Sequence, residues 1–114
     1  MVNRTENFYS SMADKSADIV RSGDGVVLGG TIINTATTDR FFQLYDRKTL
    51  PEVNDKPLFS IPVYQNNGYT ELTQFNIGRA GIGFDRGICW AFSTSAGSYQ
   101  PAAVGDAVVT LVWV

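Results

Sequence analysis

Few side chains in this 114-residue chain could do chemistry: one cysteine, Cys89, no histidine, and the carboxylates Asp39, Asp46, Asp55, Asp85 and Asp106, which stand at strand ends or turns. Without histidine there is no Ser-His-Asp or Cys-His arrangement and no imidazole metal site, and a single cysteine excludes thiolate zinc clusters. Two facing carboxylates could carry glycosidic chemistry, and loop aspartates could hold calcium. The sequence lacks EF-type or repeat spacing, however, and turn geometry alone places aspartate at such positions. The glycine-rich run Gly78 to Gly87 lacks the Gly-Lys-Ser/Thr ending of a phosphate-binding loop and reads as a β corner. Cys89 lies in an apolar strand, where a free cysteine behaves as a small hydrophobe. No catalytic residue, metal site or cofactor is expected. Tyr64, Tyr69, Tyr99 and Trp113 offer a different chemistry, stacking on sugars, although aromatic side chains equally serve protein interfaces.

Composition narrows the partners. Nine Lys plus Arg against eleven Asp plus Glu provide no reservoir of positive charge for phosphates, which argues against nucleic acid. There is no apolar run of about 18 residues and no apolar stretch of a secretory signal, so no membrane is expected. The sequence reads as that of a protein kept in a cytoplasm or in something assembled there. Charged residues make up 18%, below the usual fraction of about 25%. Part of the surface is therefore expected to be covered by something other than water.

The elements that must position these groups are strands. Residues 1–22 are polar with scattered apolar anchors and read as an N-terminal arm, in which the i, i+4 spacing of Phe8 and Met12 allows one or two helical turns around Asn7 to Lys15, and Ile19 and Val20 can begin a short strand. After the Gly23-Asp24-Gly25 turn, residues 23–114 read as one β domain. Expected strands are Val26–Asn34, Arg40–Asp46, Leu58–Gln65, Tyr69–Ile77, a short one in the glycine-rich corner, Ile88–Thr94 and Ala107–Trp113. The Gly29-Gly30 pair suggests a bulge or a close backbone approach, and Pro62 confines its strand to an edge or a bulge. Seven or eight strands with turn signals every 8 to 12 residues predict an all-β, antiparallel β-sandwich, jelly-roll-like, with an N-terminal arm.

Alternation then assigns faces. Ile88, Trp90 and Phe92 form a core face, with Cys89, Ala91 and Ser93 opposite. Phe42 and Leu44 point into the core, and Phe41, Gln43 and Tyr45 lie on the other side. Val26–Asn34 and Ala107–Trp113 are apolar on both faces, a pattern of strands buried on both sides. The outer face of at least one sheet must be covered, either by the arm through Phe8, Tyr9 and Met12 or by a neighbouring subunit meeting Phe41 and Tyr45. A homo-oligomer is expected on that ground.

The ordered pattern GVVLGGTIIN, RFFQLYDRKTLP, PLFSIPV and GIGFDRGICWAFSTSAG resembles a type of small virion protein from tailed bacteriophages. Gln43, Leu44, Tyr45, Asp46 and Pro51 match its aromatic strand, Pro57, Ile61, Pro62 and Val63 its proline-introduced strand, and Gly87, Ile88, Trp90, Ala91, Ser93, Thr94 and Ser95 its late strand. The resemblance covers about residues 25 to 113 and its motifs are structural. It implies a non-enzymatic phage structural protein located in the virion and made in the bacterial host cytoplasm. The role it implies is a capsid cement or decoration protein, with the major capsid protein as partner. The alternatives are a carbohydrate- or receptor-binding module or another head or tail component.

Overall fold

The computed structural model describes residues 5–114, and residues 1–4 of the expected arm lie outside the described residues. In chain order the elements are β1 (Asn7–Met12), β2 (Ala17–Ser22), β3 (Gly25–Asn34), β4 (Arg40–Asp46), β5 (Phe59–Val63), β6 (Gly68–Leu72), α1 (Gln74–Ile77), β7 (Ile82–Phe84), β8 (Gly87–Ser93) and β9 (Ala107–Trp113). They form an antiparallel sandwich. One sheet has the order β1-β9-β3-β6 with β7 beside the start of β3, and the other has the order β2-β8-β4-β5. Among the described residues there are nine strands, in place of the seven or eight expected.

The extra strands come from the segment expected to be an arm. Residues 7–22 supply one edge strand to each sheet, with β1 laid along β9 and β2 along β8. The four-residue spacing of Phe8 and Met12 is also a multiple of two, and a strand wins over a helical turn because each half of the segment finds an open ladder to complete. A second departure is local. The strand expected to run from Tyr69 to Ile77 stops at Leu72, because Thr73 caps a single helical turn: its hydroxyl accepts from the Phe75 N–H, and Asn76 Oδ1 accepts from the Thr73 N–H.

The core forms between the sheets. Trp90, fully buried at its centre, stacks on Phe42 with ring centroids 6.3 Å apart and meets the edge of Tyr9 at 6.5 Å. Burying an aromatic side chain of this kind contributes about 2–3 kcal/mol. The indole Nε1–H donates to the Tyr9 hydroxyl at 2.9 Å, and that hydroxyl donates to Asp18 at 2.6 Å. One phenol thus ties β1 of the first sheet to β2 and β8 of the second. Burial and the Asp18 carboxylate both raise the Tyr9 pKa, keeping the group protonated.

The Gly29-Gly30 pair makes both the bulge and the close approach. The β3–β9 register shifts between Val27 and Gly29, and a Cβ on Gly30 would lie 2.2 Å from the Thr110 carbonyl oxygen. Because the register shifts by one residue, Val27 and Ile32 both point into the core although their separation is odd. At the far end of β3, buried Asn34 joins the sheets: its Nδ2 donates to Thr38 O and Val63 O, both at 2.9 Å, and its Oδ1 accepts from the Ala36 N–H.

If residues 7–22 are part of the sandwich, deleting one hydroxyl there should be felt globally. Tyr9→Phe leaves the Trp90 indole N–H without its acceptor and is expected to lower unfolding stability by about 1–3 kcal/mol in urea titrations followed by tryptophan fluorescence. An unchanged midpoint would show that the strand is only loosely attached.

Candidate functional site

The two sheets differ in what covers their outer faces. On the second sheet the cover is the protein's own chain. Gln43, fully buried on β4, aims its amide at the segment after β8: Nε2 donates to Ser95 O at 2.8 Å, Ala96 O at 3.3 Å and Ser98 O at 3.2 Å, and Oε1 accepts from the Tyr45 hydroxyl at 2.6 Å. Ser93 repeats the device from β8. Its hydroxyl donates to Ser98 O and accepts from the Ser95 and Gln100 N–H groups. Tyr99 is thereby laid over the sheet against Tyr45, Cys89 and Ala91, with ring centroids 6.3 Å from Tyr45, and exchanges backbone hydrogen bonds with Asn54 and Asp55 of the β4–β5 connection.

Of the contact residues expected there, Tyr45 is only 3% exposed and Phe41 is half-buried. Tyr45 is therefore no free contact for a neighbouring subunit, because the loop at residues 94–101 occupies that position. The side chains expected as arm anchors also separate. Tyr9 turns inward to Trp90, while Phe8 and Met12 point outward and are 75% and 74% exposed.

Phe8 and Met12 belong to the outer face of the first sheet. Directly opposed residues of antiparallel strands share a face, so the registers define its rows. One row is Met12, Val108, Ile33 and Tyr69; the next is Ser10, Thr110, Thr31 and Glu71; the third is Phe8, Val112 and Gly29. Two apolar rows flank a hydroxyl row, and Glu71 is the one charge in these rows. Within the described residues no loop is hydrogen-bonded over this face in the way the loop at residues 94–101 covers the other. Phe75 of α1, at 91% exposure, stands just beyond β6. Ile33, Val108 and Val112 were not picked out as contacts by sequence reasoning, and Tyr69 only among the aromatics considered for sugar stacking. The signal that could have found them was the apolar outward set of the last strand, once β1 was recognised as its neighbour.

The turn aspartates are scattered. Asp46 accepts from the N–H groups of Asp85, Arg86 and Gly87, Asp55 pairs with Arg47, Asp106 pairs with Arg40 at 3.2 Å, and Asp39 accepts from the Gln65 N–H. Among the described residues no three His, Cys, Asp or Glu side chains gather as a metal site. The aromatics considered for sugar stacking also separate: Tyr99 is buried in the loop cover, Arg21 lies 5.7 Å over the Trp113 ring, and Tyr64 and Tyr69 remain exposed. Comparison with protein-family models, with curated proteins and with solved structures finds no match.

The loop cover has a chemical readout. Burial pushes the Cys89 thiol up to about 12, so thiolate, the reactive form, is scarce at neutral pH. A thiol reagent should leave the native protein unlabelled, and Gln43→Ala, which releases the three carbonyls of the cover, should raise the labelling rate at least about tenfold, equivalent to about 1.4 kcal/mol of easier opening. Asp46 carries a separate pH signature. Desolvation alone would raise its pKa, but the Arg86, Asp85 and Gly87 N–H groups and the Arg86 charge outweigh it and hold the carboxyl below its ordinary value. Its contribution is therefore complete above the unfolded carboxylate value, near pH 4, and is lost as pH falls through the depressed folded value. In urea titrations at descending pH, Asp46→Asn should flatten part of the acid-side loss of stability.

Proposed function

We propose that this chain is a non-enzymatic structural subunit of a tailed-phage virion, a cement or decoration protein that docks on the capsid through the outer face of its first sheet. The observation that carries this reading is the face itself. Phe8, Met12, Tyr69, Ile33, Val108 and Val112 surround a hydroxyl row with a single carboxylate, in a chain whose other sheet has its outer face covered. An apolar sheet face left open on a small protein marks a surface that meets another macromolecule.

Two further observations support the assignment. The first is the motif resemblance, whose residues are seen to share structural work: Gln43 and Ser93 hold the loop cover and Asp46 holds the β7–β8 turn. The second is the strand order. We read β1-β9-β3-β6 over β2-β8-β4-β5 as a jelly roll, an architecture common to viral capsid and lectin domains.

Docking would add apolar burial across joints of the shell, at roughly 25 cal/mol per Å² before immobilisation costs. From strand spacing and rise, the face measures roughly 300 Å², well under the roughly 800 Å² per partner of a standard stable interface. One copy alone would bind weakly, and retention on a shell would depend on many copies acting together.

Thr110 sits in the middle of the face and is exposed, so Thr110→Arg should change unfolding stability by no more than about 0.5 kcal/mol. In cosedimentation with capsid shells of the phage that carries this chain, the same variant should bind at least about tenfold more weakly, a loss of about 1.4 kcal/mol. Wild-type-like attachment of the variant would remove the face from the proposal. Binding to a glycan array without binding to shells would favour the carbohydrate-recognition alternative, in which the exposed Tyr64 and Tyr69 would be the first residues to test.

A further inference from the structure

The edge strands of a sandwich carry N–H and C=O groups without ladder partners, and an edge without protection recruits another chain. Most edges of this molecule are protected. β2 has a register shift between Ile19 and Arg21 and carries Asp18 and Arg21. β5 contains Pro62, which has no N–H to offer. β6 is tied to it by the Thr70 hydroxyl, which donates to Pro62 O at 2.8 Å, and Asn76 Nδ2 of α1 donates to Glu71 O at 2.8 Å. β7 is only three residues long.

β1 has none of these devices. Asn7–Met12 contains no charge, no proline and no bulge, its register with β9 is unbroken over six pairs, and among the described residues its backbone bonds to no element but β9.

We infer that β1 pairs with β1 of a second copy, antiparallel about a two-fold axis at Ser10, so that the first sheet runs continuously through two molecules. The self-complementarity of the strand selects the occupant. Opposed residues must share a face, and with Ser10 on the axis Phe8 of one copy meets Met12 of the other outside, while Tyr9 meets Ser11 inside. The ladder ends where the chain turns away at Ala13, with φ of +62°, before Asp14 of one copy would come opposite Glu6 of the other. The pairing also addresses the shortfall in area, since two coplanar faces joined at β1 present roughly 600 Å² to one partner. The inference goes beyond the docking proposed for the face and rests on a different observation, the open edge.

Disulfide trapping tests it. Opposed residues lie about 4.5–5.5 Å apart at Cα, within disulfide range, and native Cys89 is buried and does not compete. Under mild oxidant, Ser10→Cys should become a covalent dimer. Phe8→Cys alone should not, whereas Phe8→Cys mixed with Met12→Cys should give the cross-linked pair. Ser10→Lys places like charges opposite each other at the axis, and should weaken dimerisation at least tenfold in sedimentation equilibrium while leaving unchanged the unfolding midpoint measured at protein concentrations where both proteins are monomers.

A wild-type protein that sediments as a monomer at its highest soluble concentration overturns the inference. So does a Ser10→Cys variant that cross-links no faster than Thr110→Cys, which lies on the face and away from the edge. Binding of Thr110→Arg to shells reads the face separately, so an open edge without docking and docking without edge pairing give different results.

Discussion

Strand β8 is dry on both sides, and most of the molecule is arranged to meet that constraint. All seven of its residues are buried, with Ile88, Trp90 and Phe92 facing the first sheet and Cys89, Ala91 and Ser93 facing outward. A strand of this kind needs two covers. The first sheet provides one, and the segment that follows β8 folds back to provide the other, anchored by a buried amide and a buried hydroxyl whose hydrogen bonds to that segment are made to backbone groups. Polar groups buried this deeply are tolerated only when paired, and here the pairing also specifies where the loop lies. Among the described residues there is one such covering segment for two outer faces. The first sheet is the one left open.

Much of this was legible in the residues. The strands from β3 onward, apart from the far end of the one expected over Tyr69–Ile77, together with the edge position of Pro62 and the bulge at Gly29-Gly30, follow from local rules of backbone chemistry, and the structure reproduces them. The apolar second faces of β3, β4 and β9 were legible too, as runs without alternation. What covers that of β4 was not. Tyr45 reads as an exposed aromatic until Tyr99, more than fifty positions later, is known to lie against it. No period within a strand carries that information, because it belongs to a contact between a strand and a distant loop.

The first 22 residues illustrate a second limit. Their polarity suggested an arm, yet edge strands are polar by nature, since only one side of each meets the core and one of their backbone edges faces solvent. Tyr9 reads in the sequence as an arm anchor, and the structure makes it a closing residue of the core. Phe8 and Met12, chosen for the same reason, remain on the surface, one position to either side of the inward-pointing set. A single parity step separates the two outcomes.

The pairing of β1 with β9 and of β2 with β8 also sets the order in which the chain can become a folded object. Phe8 meets Val112, roughly a hundred positions downstream, and β2, near the start of the described chain, lies beside the core tryptophan of β8. Edge strand β1 has no partner until β9 has been made, and β2 none until β8 has, and contacts of such long sequence separation make folding slow, in the range of milliseconds to seconds. The first sheet therefore closes late, only when β9 takes its place between β1 and β3. Until then the open sheet face and the bare edge of β9 are together the most association-prone surfaces that the chain exposes.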